Sequence, residues 1–310
     1  MNKKNLIIGT GVLGAYLSLE LLKNNETIIV TSRSKKKIYK NFSFLKIQKK
    51  IKFVRLSVKN KIEIEKLIKT YKPNKIFYFA GQSSLTKSIK MKKETFESHY
   101  NGTKNFIDIL KKNNLKCKFF KANSGYIFKP KNGKIDFNCK FSKNKNAYIQ
   151  AQQKSFKIIN KYRKFNLSLF NLVFLQIESP LRKNDFFIKK VCLGSKKKNK
   201  ITVGNVEVIR DYSWITEVIK AIILTSSLEA NNYIISAGRK MSGIEILNFA
   251  YKLNRLNYKK YFKINNNFIR KNENKSLIGS RKNSNYLKKK FNFKFKIFKD
   301  QLIRKMYNSL

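Results

Sequence analysis

Leu6-Ile7-Ile8-Gly9-Thr10-Gly11-Val12-Leu13-Gly14 is the stretch on which the fold turns. Three apolar residues run into a Gly-x-Gly-x-x-Gly spacing, and a helix-forming stretch from Ala15 to Lys23 begins where the glycines end. Glycine permits the tight turn there and lets backbone approach a pyrophosphate closely, while the start of the helix offers free N–H groups to the anion. The spacing is informative only between a strand and a helix, which is where it lies. Gly9, Gly11, Val12, Leu13 and Gly14 are therefore the candidate contacts to a dinucleotide cofactor.

The end of the second expected strand reads Val30-Thr31-Ser32-Arg33-Ser34. A carboxylate here would bind the adenosine ribose of NAD, and none is present. Arg33 suits a 2′-phosphate instead, so NADP is expected ahead of NAD.

Beyond the turn, short apolar runs alternate with longer helical patterns. Strands are expected at Asn5 to Gly9, Thr27 to Thr31, Lys75 to Ala80, Cys117 to Ala122 and Ser168 to Gln176. Helices are expected at Leu13 to Lys23, Lys61 to Thr70, Glu94 to Lys112 and Tyr148 to Tyr162. Such alternation means a parallel sheet covered on both faces, with ligands at the carboxyl ends of its strands. After Glu178 the pattern turns irregular, with short strands near Ile201 to Val203 and Tyr233 to Ser236, and helices near Ile215 to Ser226 and Ser242 to Leu253. The expected fold is α/β: a Rossmann-type doubly wound parallel sheet over 1–177, joined by returning segments near 205–237, with a smaller substrate-binding lobe over 178–310.

The charge is the loudest compositional feature. Seventy Lys and Arg against 17 Asp and Glu leave a formal net charge of +53, which by itself points to nucleic acid or an anionic membrane. The lysines, however, run from Lys3 to Lys305 among asparagine, isoleucine and phenylalanine, with only 3 prolines and 12 glycines. These residues share A/T-rich codons, so nucleotide bias explains the charge more cheaply than specific nucleic-acid binding, and scattered lysine usually means solvated faces.

Cys117, Cys139 and Cys192 lack metal-ligand or disulfide-framework spacing, and a lone histidine, His99, forms no His-based cluster. The start, Met1 to Leu22, places Lys3 and Lys4 before an apolar stretch, but the glycine spacing and the missing small-x-small cleavage site argue against a signal peptide. With no run of about 18 apolar residues, a soluble, cytoplasmic protein with no metal is expected. Trp214 is read as core.

A family comes into view when the glycine turn is set beside Phe77-Tyr78-Phe79-Ala80-Gly81-Gln82-Ser83-Ser84, Tyr148 on a helix, and Gly204-Asn205 followed by Arg210-Asp211-Tyr212. Together with Glu178-Ser179-Pro180 and Arg182, Arg270 with Glu273, and Leu277-Ile278-Gly279-Ser280, the chain resembles the extended short-chain dehydrogenase/reductases. Within them it is most similar to GDP-mannose 4,6-dehydratases and GDP-4-keto-6-deoxymannose reductases. The resemblance implies an NADP-dependent enzyme acting on a GDP-hexose in deoxysugar synthesis for surface polysaccharide, with hydride transfer at sugar C4. It assigns Tyr148 as acid/base, Ser124 as the hydroxyl holding the sugar oxygen, and position 152, four residues after the tyrosine, as the supporting lysine. It places Ala80, Gly81, Gln82 and Tyr148 at the cofactor, and Ser83, Arg182, Lys190, Arg210, Arg270 and Glu273 at the substrate. It also implies a dimer or tetramer built on the helices at Glu94 to Lys112 and Tyr148 to Tyr162.

Five positions depart from the pattern. The lysine is Gln152, the dehydratase acid is Tyr126, an adenine-facing Asp is Ser57, the helix asparagine is His99, and the Asn before Glu178-Ser179-Pro180 is Gln176. An ammonium about 4 Å from a phenol is worth roughly 4 kcal/mol at an effective dielectric near 20, which glutamine does not supply. Lys154 is about 200° around the helix from position 152 and is not expected to replace it. The 4-keto reductase, and a nucleotide-sugar-binding homologue with impaired turnover, therefore stand beside the dehydratase.

Overall fold

The structure is a computed structural model that describes residues 3–34, 36, 38–270 and 273–310, with the side chains of 282–284 left aside. Met1 and Asn2, at the head of the stretch weighed as a signal peptide, lie outside the described residues. The chain divides into two compact units. One comprises 1–127, 141–173 and 222–233, and the other 128–140, 174–221 and 234–310.

In the first unit the strands β1 (Lys4–Ile8), β2 (Thr27–Ser32), β3 (Lys52–Arg55), β4 (Lys75–Tyr78) and β5 (Lys118–Ser124) pair in parallel, in the order β5-β4-β1-β2-β3. The strands Leu169–Phe174 and Asn232–Ile235 extend the sheet beyond β5 to seven strands. The direction of strand addition reverses between β1 and β4, which makes the carboxyl ends of those two strands the natural place for a ligand. Both faces of the sheet are buried, as a parallel sheet requires. Leu6, Ile8, Ile29, Ile76, Tyr78 and Phe119 pack into one core cluster. On strands β4, β5 and Leu169–Phe174, Phe77, Phe120 and Phe170 stack in a row, with ring centroids 4.7 and 4.4 Å apart.

The helix α1 (Val12–Lys23) and the helices Lys61–Tyr71 and Ala147–Arg163 lie where the sequence places them, within a residue or two at each end. The helix expected over Glu94 to Lys112 is interrupted. It is α-helical over Lys92–Phe96 and Gly102–Lys112, with a π-helical turn at Glu97–Asn101 between them. The Tyr78 hydroxyl donates to the Ser98 carbonyl at 2.6 Å, and a Cβ at Gly102 would sit 2.1 Å from that hydroxyl oxygen. The π turn thus makes room for a buried phenol and turns His99 inward, a feature periodicity does not register.

The second unit holds more regular structure than its sequence suggests. Ile209–Trp214 is flanked by Lys240–Ser242 and Ser276–Gly279, the latter pairs with Lys134–Ile135, and Gln176–Glu178 pairs with the far half of Ile209–Trp214. Ile201–Val203 pairs with Phe262–Ile264. The helices Phe187–Lys196, Arg281–Phe291 and Asp300–Asn308 were not expected. Strands of two to six residues are too short to show a period, and the last helix buries only Leu302, Ile303 and Met306. Trp214 is buried, as read.

Candidate active site

The turn after β1 is built by its glycines. Gly9 has φ +118°, a conformation L side chains rarely adopt, and a Cβ there would lie 3.2 Å from the Ala80 nitrogen at the end of β4. A Cβ on Gly14 would meet the Gly9 carbonyl at 2.4 Å, so the helix packs against the turn only because that carbon is missing. At Gly11 a Cβ would meet nothing within 4 Å. Gly11 is also the N-cap of α1 and brings no side-chain cap, which leaves the first-turn N–H groups of Val12, Leu13 and Gly14 available. Asn41 Nδ2 holds the turn by donating to the Thr10 carbonyl at 2.9 Å. An open face, unused donors and the positive end of a helix fit a diphosphate.

Arg33, just past β2, is exposed and lies 3.7 Å from the Glu94 carboxylate, a loose surface pair that leaves its other nitrogens to a ligand. Ser57 donates its backbone N–H to Glu63 Oε2 at 3.2 Å.

Ala80, Gly81 and Gln82 follow β4. Gly81 has φ +121°, and its missing Cβ would fall 2.2 Å from Cε1 of His99, so the imidazole occupies the space a side chain would need. His99 Nε2 lies 2.9 Å from the Gln82 carbonyl, and Nδ1 lies 3.2 Å from Gln152 Nε2. Burial, helped by the nearby Lys121 charge, lowers the imidazole to about 3, so the ring is neutral. Tyr148 meets the same ring edge to face, with centroids 5.3 Å apart at 85°. Ser83 continues the loop, and Gln82 Oε1 accepts from the Ser84 N–H at 2.6 Å.

Tyr148 owes its place to Asn146, the N-cap of Ala147–Arg163. The Asn146 Oδ1 accepts from the Tyr148 N–H at 2.9 Å and from the Ser88 hydroxyl at 2.9 Å, while its Nδ2 donates to the Leu85 carbonyl at 3.0 Å. Ser124 closes β5 and accepts the Tyr126 N–H at 3.3 Å. Two turns along the helix from Tyr148, Ser155 donates to Asn123 Oδ1 at 3.2 Å, and Asn123 Nδ2 donates to Asn171 Oδ1 at 2.8 Å. These bonds tie the end of β5 to the tyrosine helix.

Gln152 is buried at 3% exposure, and its Oε1 lies 3.5 Å from Nζ of Lys121 on β5. Lys121 is 1% exposed, donates also to the Ala122 carbonyl, and sits over the Tyr78 ring at 5.5 Å. Burial pushes its ammonium down to about 7. Lys154 points elsewhere, stacked over Phe96 and Tyr100 at 5.3 and 5.7 Å, as its angle around the helix implies. The structure thus brings Gly81, Gln82, His99, Tyr148, Gln152 and Lys121 into one cluster. Neither the part of Lys121 nor that of Asn146 was seen in the sequence, although a lysine inside the apolar run Phe119-Phe120-Lys121-Ala122 was a signal hidden by seventy other basic residues.

In the second unit, Arg210 is buried and its Nη2 donates to Glu273 Oε1 at 2.8 Å, with Nη1 on the Ile209 and Asn274 carbonyls. Arg270, half exposed, reaches the same carboxylate at 3.4 Å. Lys190 Nζ donates to the Thr202 carbonyl at 2.6 Å, and the Arg182 guanidinium lies 3.5 Å over the Phe186 ring. Arg210, Arg270 and Glu273 therefore form one cluster, and Lys190 Nζ lies 5.4 Å from the centre of the Phe268 ring. Burial raises Glu178 to about 7, opposed by the charges of Arg182 and Lys189. Gln176 stands two residues earlier on the same short strand. Asp211, raised by burial to about 6, accepts the N–H groups of Gly238 and Gly279. Among the described residues no group of three His, Cys, Asp or Glu is placed to hold a metal ion, and no helix is long and apolar enough to cross a membrane.

The profile of the family described as GDP-mannose 4,6 dehydratase matches residues 6–306. The chain belongs to that family. This places it among the NAD-dependent epimerase/dehydratase members of the short-chain dehydrogenase/reductases. Among curated relatives it is 24% identical over 200 residues to GDP-mannose 4,6 dehydratase 2 of Caenorhabditis elegans, a match covering 60% of this chain and 51% of that protein. It is 28% identical over 121 residues to CDP-paratose 2-epimerase of Salmonella typhi, covering 39% of this chain and 36% of the relative. The match thus spans about half the length of the dehydratase and about a third of the epimerase. Of solved structures, UDP-glucose 4-epimerase of Thermus thermophilus in complex with NAD superposes with TM-score 0.83 at 16% identity, covering 99% of this chain and 98% of the other. The dTDP-glucose 4,6-dehydratase of Bacillus anthracis in complex with NAD gives 0.82 at 16%, covering 99% and 96%. These structures share the fold of the GDP-mannose dehydratase family member described above.

Proposed function

We propose that this family member is an NADP-dependent nucleotide-sugar enzyme of the GDP-mannose 4,6-dehydratase type, acting at C4 of a GDP-hexose. The observation that carries the reading is the meeting of Tyr148 with the loop Ala80–Gln82 across the His99 ring. It sets the expected acid/base against a loop at the carboxyl end of β4, next to the glycine turn at the end of β1. The open face at Gly11 and the uncapped start of α1 support a dinucleotide diphosphate in the turn. Arg33 supports the 2′-phosphate, which favours NADP, with NAD as the alternative.

A bound nicotinamide would supply the acceptor and donor of hydride. In a dehydratase Tyr148 would take the proton from the C4 hydroxyl as hydride leaves C4; the hydride would be returned at C6 after water is lost across C5 and C6, and C4 would stay a ketone. In a reductase Tyr148 would instead give its proton to the 4-keto oxygen as hydride arrives at C4. Ser124 would hold the C4 oxygen by hydrogen bond. Ser83 on the loop would contact the sugar. Lys190, Arg182 and the cluster of Arg210, Arg270 and Glu273 would take the GDP, arginine suiting phosphate oxygens through its paired donors.

A second reading is favoured by one residue. Tyr126 stands where elimination of water needs a carboxylic acid, so a GDP-4-keto-6-deoxymannose reductase is the alternative, followed by a nucleotide-sugar-binding homologue with impaired turnover. Incubation of the purified chain with GDP-mannose and NADP, read by mass spectrometry, separates the three. Loss of one water is the result expected of the dehydratase. Reduction of a supplied GDP-4-keto-6-deoxymannose by NADPH, without dehydration of GDP-mannose, would instead establish the reductase. Binding without either product would leave the impaired homologue.

A further inference from the structure

Position 152 carries no charge, yet a buried cation stands within hydrogen-bond reach of it. The donors and acceptors in the cluster can be assigned one after another. The Gln82 carbonyl only accepts, so the His99 nitrogen 2.9 Å from it, Nε2, carries the hydrogen. In a neutral ring Nδ1 is then an acceptor, and the group 3.2 Å away must be the amide NH2 of Gln152. That orientation turns Gln152 Oε1 toward Lys121 Nζ, which only donates when charged. All donors in the chain therefore point one way, from Lys121 through Gln152 and His99 to the backbone of the Ala80–Gln82 loop.

We propose that Lys121 is a positioning residue for the Tyr148 acid/base, supplying from β5 the cation that position 152 lacks and acting on the tyrosine's neighbour His99 through the Gln152 amide. The inference deepens the oxidoreductase reading of this site and rests on it for the role of Tyr148. Without Lys121 the Gln82 carbonyl is left alone to hold the amide in this orientation, and the hold is weaker by the hydrogen bond from Nζ to Oε1. A flipped amide presents its oxygen to Nδ1, demands a hydrogen there, and takes the donor away from the Gln82 carbonyl. The ring that would be disturbed fills the Cβ space of Gly81 and packs edge to face on Tyr148, so the tautomer is coupled to both. Lys121 is buried with no carboxylate partner among the described residues; such burial is costly, and such groups concentrate at functional sites. Lys154, held over Phe96 and Tyr100, is not in competition for the role.

His99 is the only histidine in the chain, so nitrogen-15 labelling of histidine gives one imidazole to read in the full-length protein without substrate or cofactor. At pH 6, where Lys121 is charged and His99 neutral, the wild type is expected to show Nε2 protonated and Nδ1 bare. Lys121→Met is expected to weaken that single state, giving mixed tautomers. The exchanged pair Lys121→Gln with Gln152→Lys is expected to restore it, since an ammonium at 152 again donates to Nδ1. In turnover, kcat should fall about tenfold or more in Lys121→Met with KM within about twofold, and recover in the exchanged pair, the scale being that of a lost acid/base aid. An Nδ1–H wild type, a Lys121→Met protein with wild-type tautomer and kcat, or an exchanged pair no better than Lys121→Met would overturn the proposal. If Lys121→Met does not fold, the wild type and the exchanged pair decide. Absence of turnover in the wild type counts against the proposed enzyme alone, because the imidazole state needs neither ligand.

Discussion

The glycine turn after β1 and the polar cluster behind Tyr148 sit on the same sheet and belong to the same expected chemistry, but they are held in opposite ways. The turn is a backbone device. Its requirements are missing side chains at Gly9 and Gly14, and sequence shows them directly. The cluster is a side-chain device assembled from Gln82, His99, Lys121 and Gln152, residues on four different elements whose partnership only the fold reveals. A site made of backbone shows in the spacing of its glycines, whereas one made of side chains shows only when the fold brings its members together.

The sharpest way to break this comparison is at Tyr148. Tyr148→Phe should lower kcat about a thousandfold, the scale of a lost general acid/base, while the dissociation constant for NADP in a fluorescence titration rises far less, by the one hydrogen bond lost. An equal loss of binding would mean that the two regions are not separable.

The turn itself gives the next largest effect. Gly14→Ala drives a carbon into the Gly9 carbonyl and should cost about 1–3 kcal/mol, seen as a lower Tm together with weaker NADP binding. Gly11→Ala, with open space before it, should leave Tm alone and weaken only NADP binding. Calorimetry with and without cofactor distinguishes a turn that needs glycine for packing from one that needs it for the ligand.

Arg33→Ala should raise the dissociation constant for NADP about tenfold and leave that for NAD unchanged, because only the former carries a 2′-phosphate. Equal effects on both cofactors would return Arg33 to the surface.

The smallest effect is a stability slope. The folded protein holds the Lys121 ammonium at about 7 against an ordinary 10.5, with His99 and Tyr78 facing it and no acid beside it among the described residues. Below pH 7 both folded and unfolded chains carry the proton and the burial penalty is complete. Between pH 7 and 10.5 the unfolded chain binds more protons, so wild-type stability gains with rising pH. The Tm of Lys121→Met minus that of the wild type should therefore be most positive below pH 7 and narrow by a few degrees toward pH 10.5. A flat difference would mean that the folded protein leaves the Lys121 ammonium at its ordinary 10.5, charged as in the unfolded chain.

The strand–helix alternation of the first unit was legible because burial of a parallel sheet writes long apolar runs into the chain, as at Leu6-Ile7-Ile8 and Phe77-Tyr78-Phe79. The π turn at Glu97–Asn101 was not, since it depends on a phenol from β4, about twenty positions away. Short strands of the second unit, such as Lys134–Ile135, have no period to read and exist through their partners. At the site, the glycines could be named from their local spacing, and Ser124 and Tyr148 from the family resemblance. Lys121 could not, because a charge of +53 makes one more lysine look like solvent-facing charge until its burial is seen.

The most direct test of the central claim uses GDP-mannose carrying deuterium at C4, mixed with the purified chain and NADP in less than one equivalent of substrate. The expected result is deuterium on the enzyme-bound nicotinamide during turnover, absent in Tyr148→Phe. A cofactor that binds yet stays oxidised and unlabelled, with the sugar unchanged, would contradict the account.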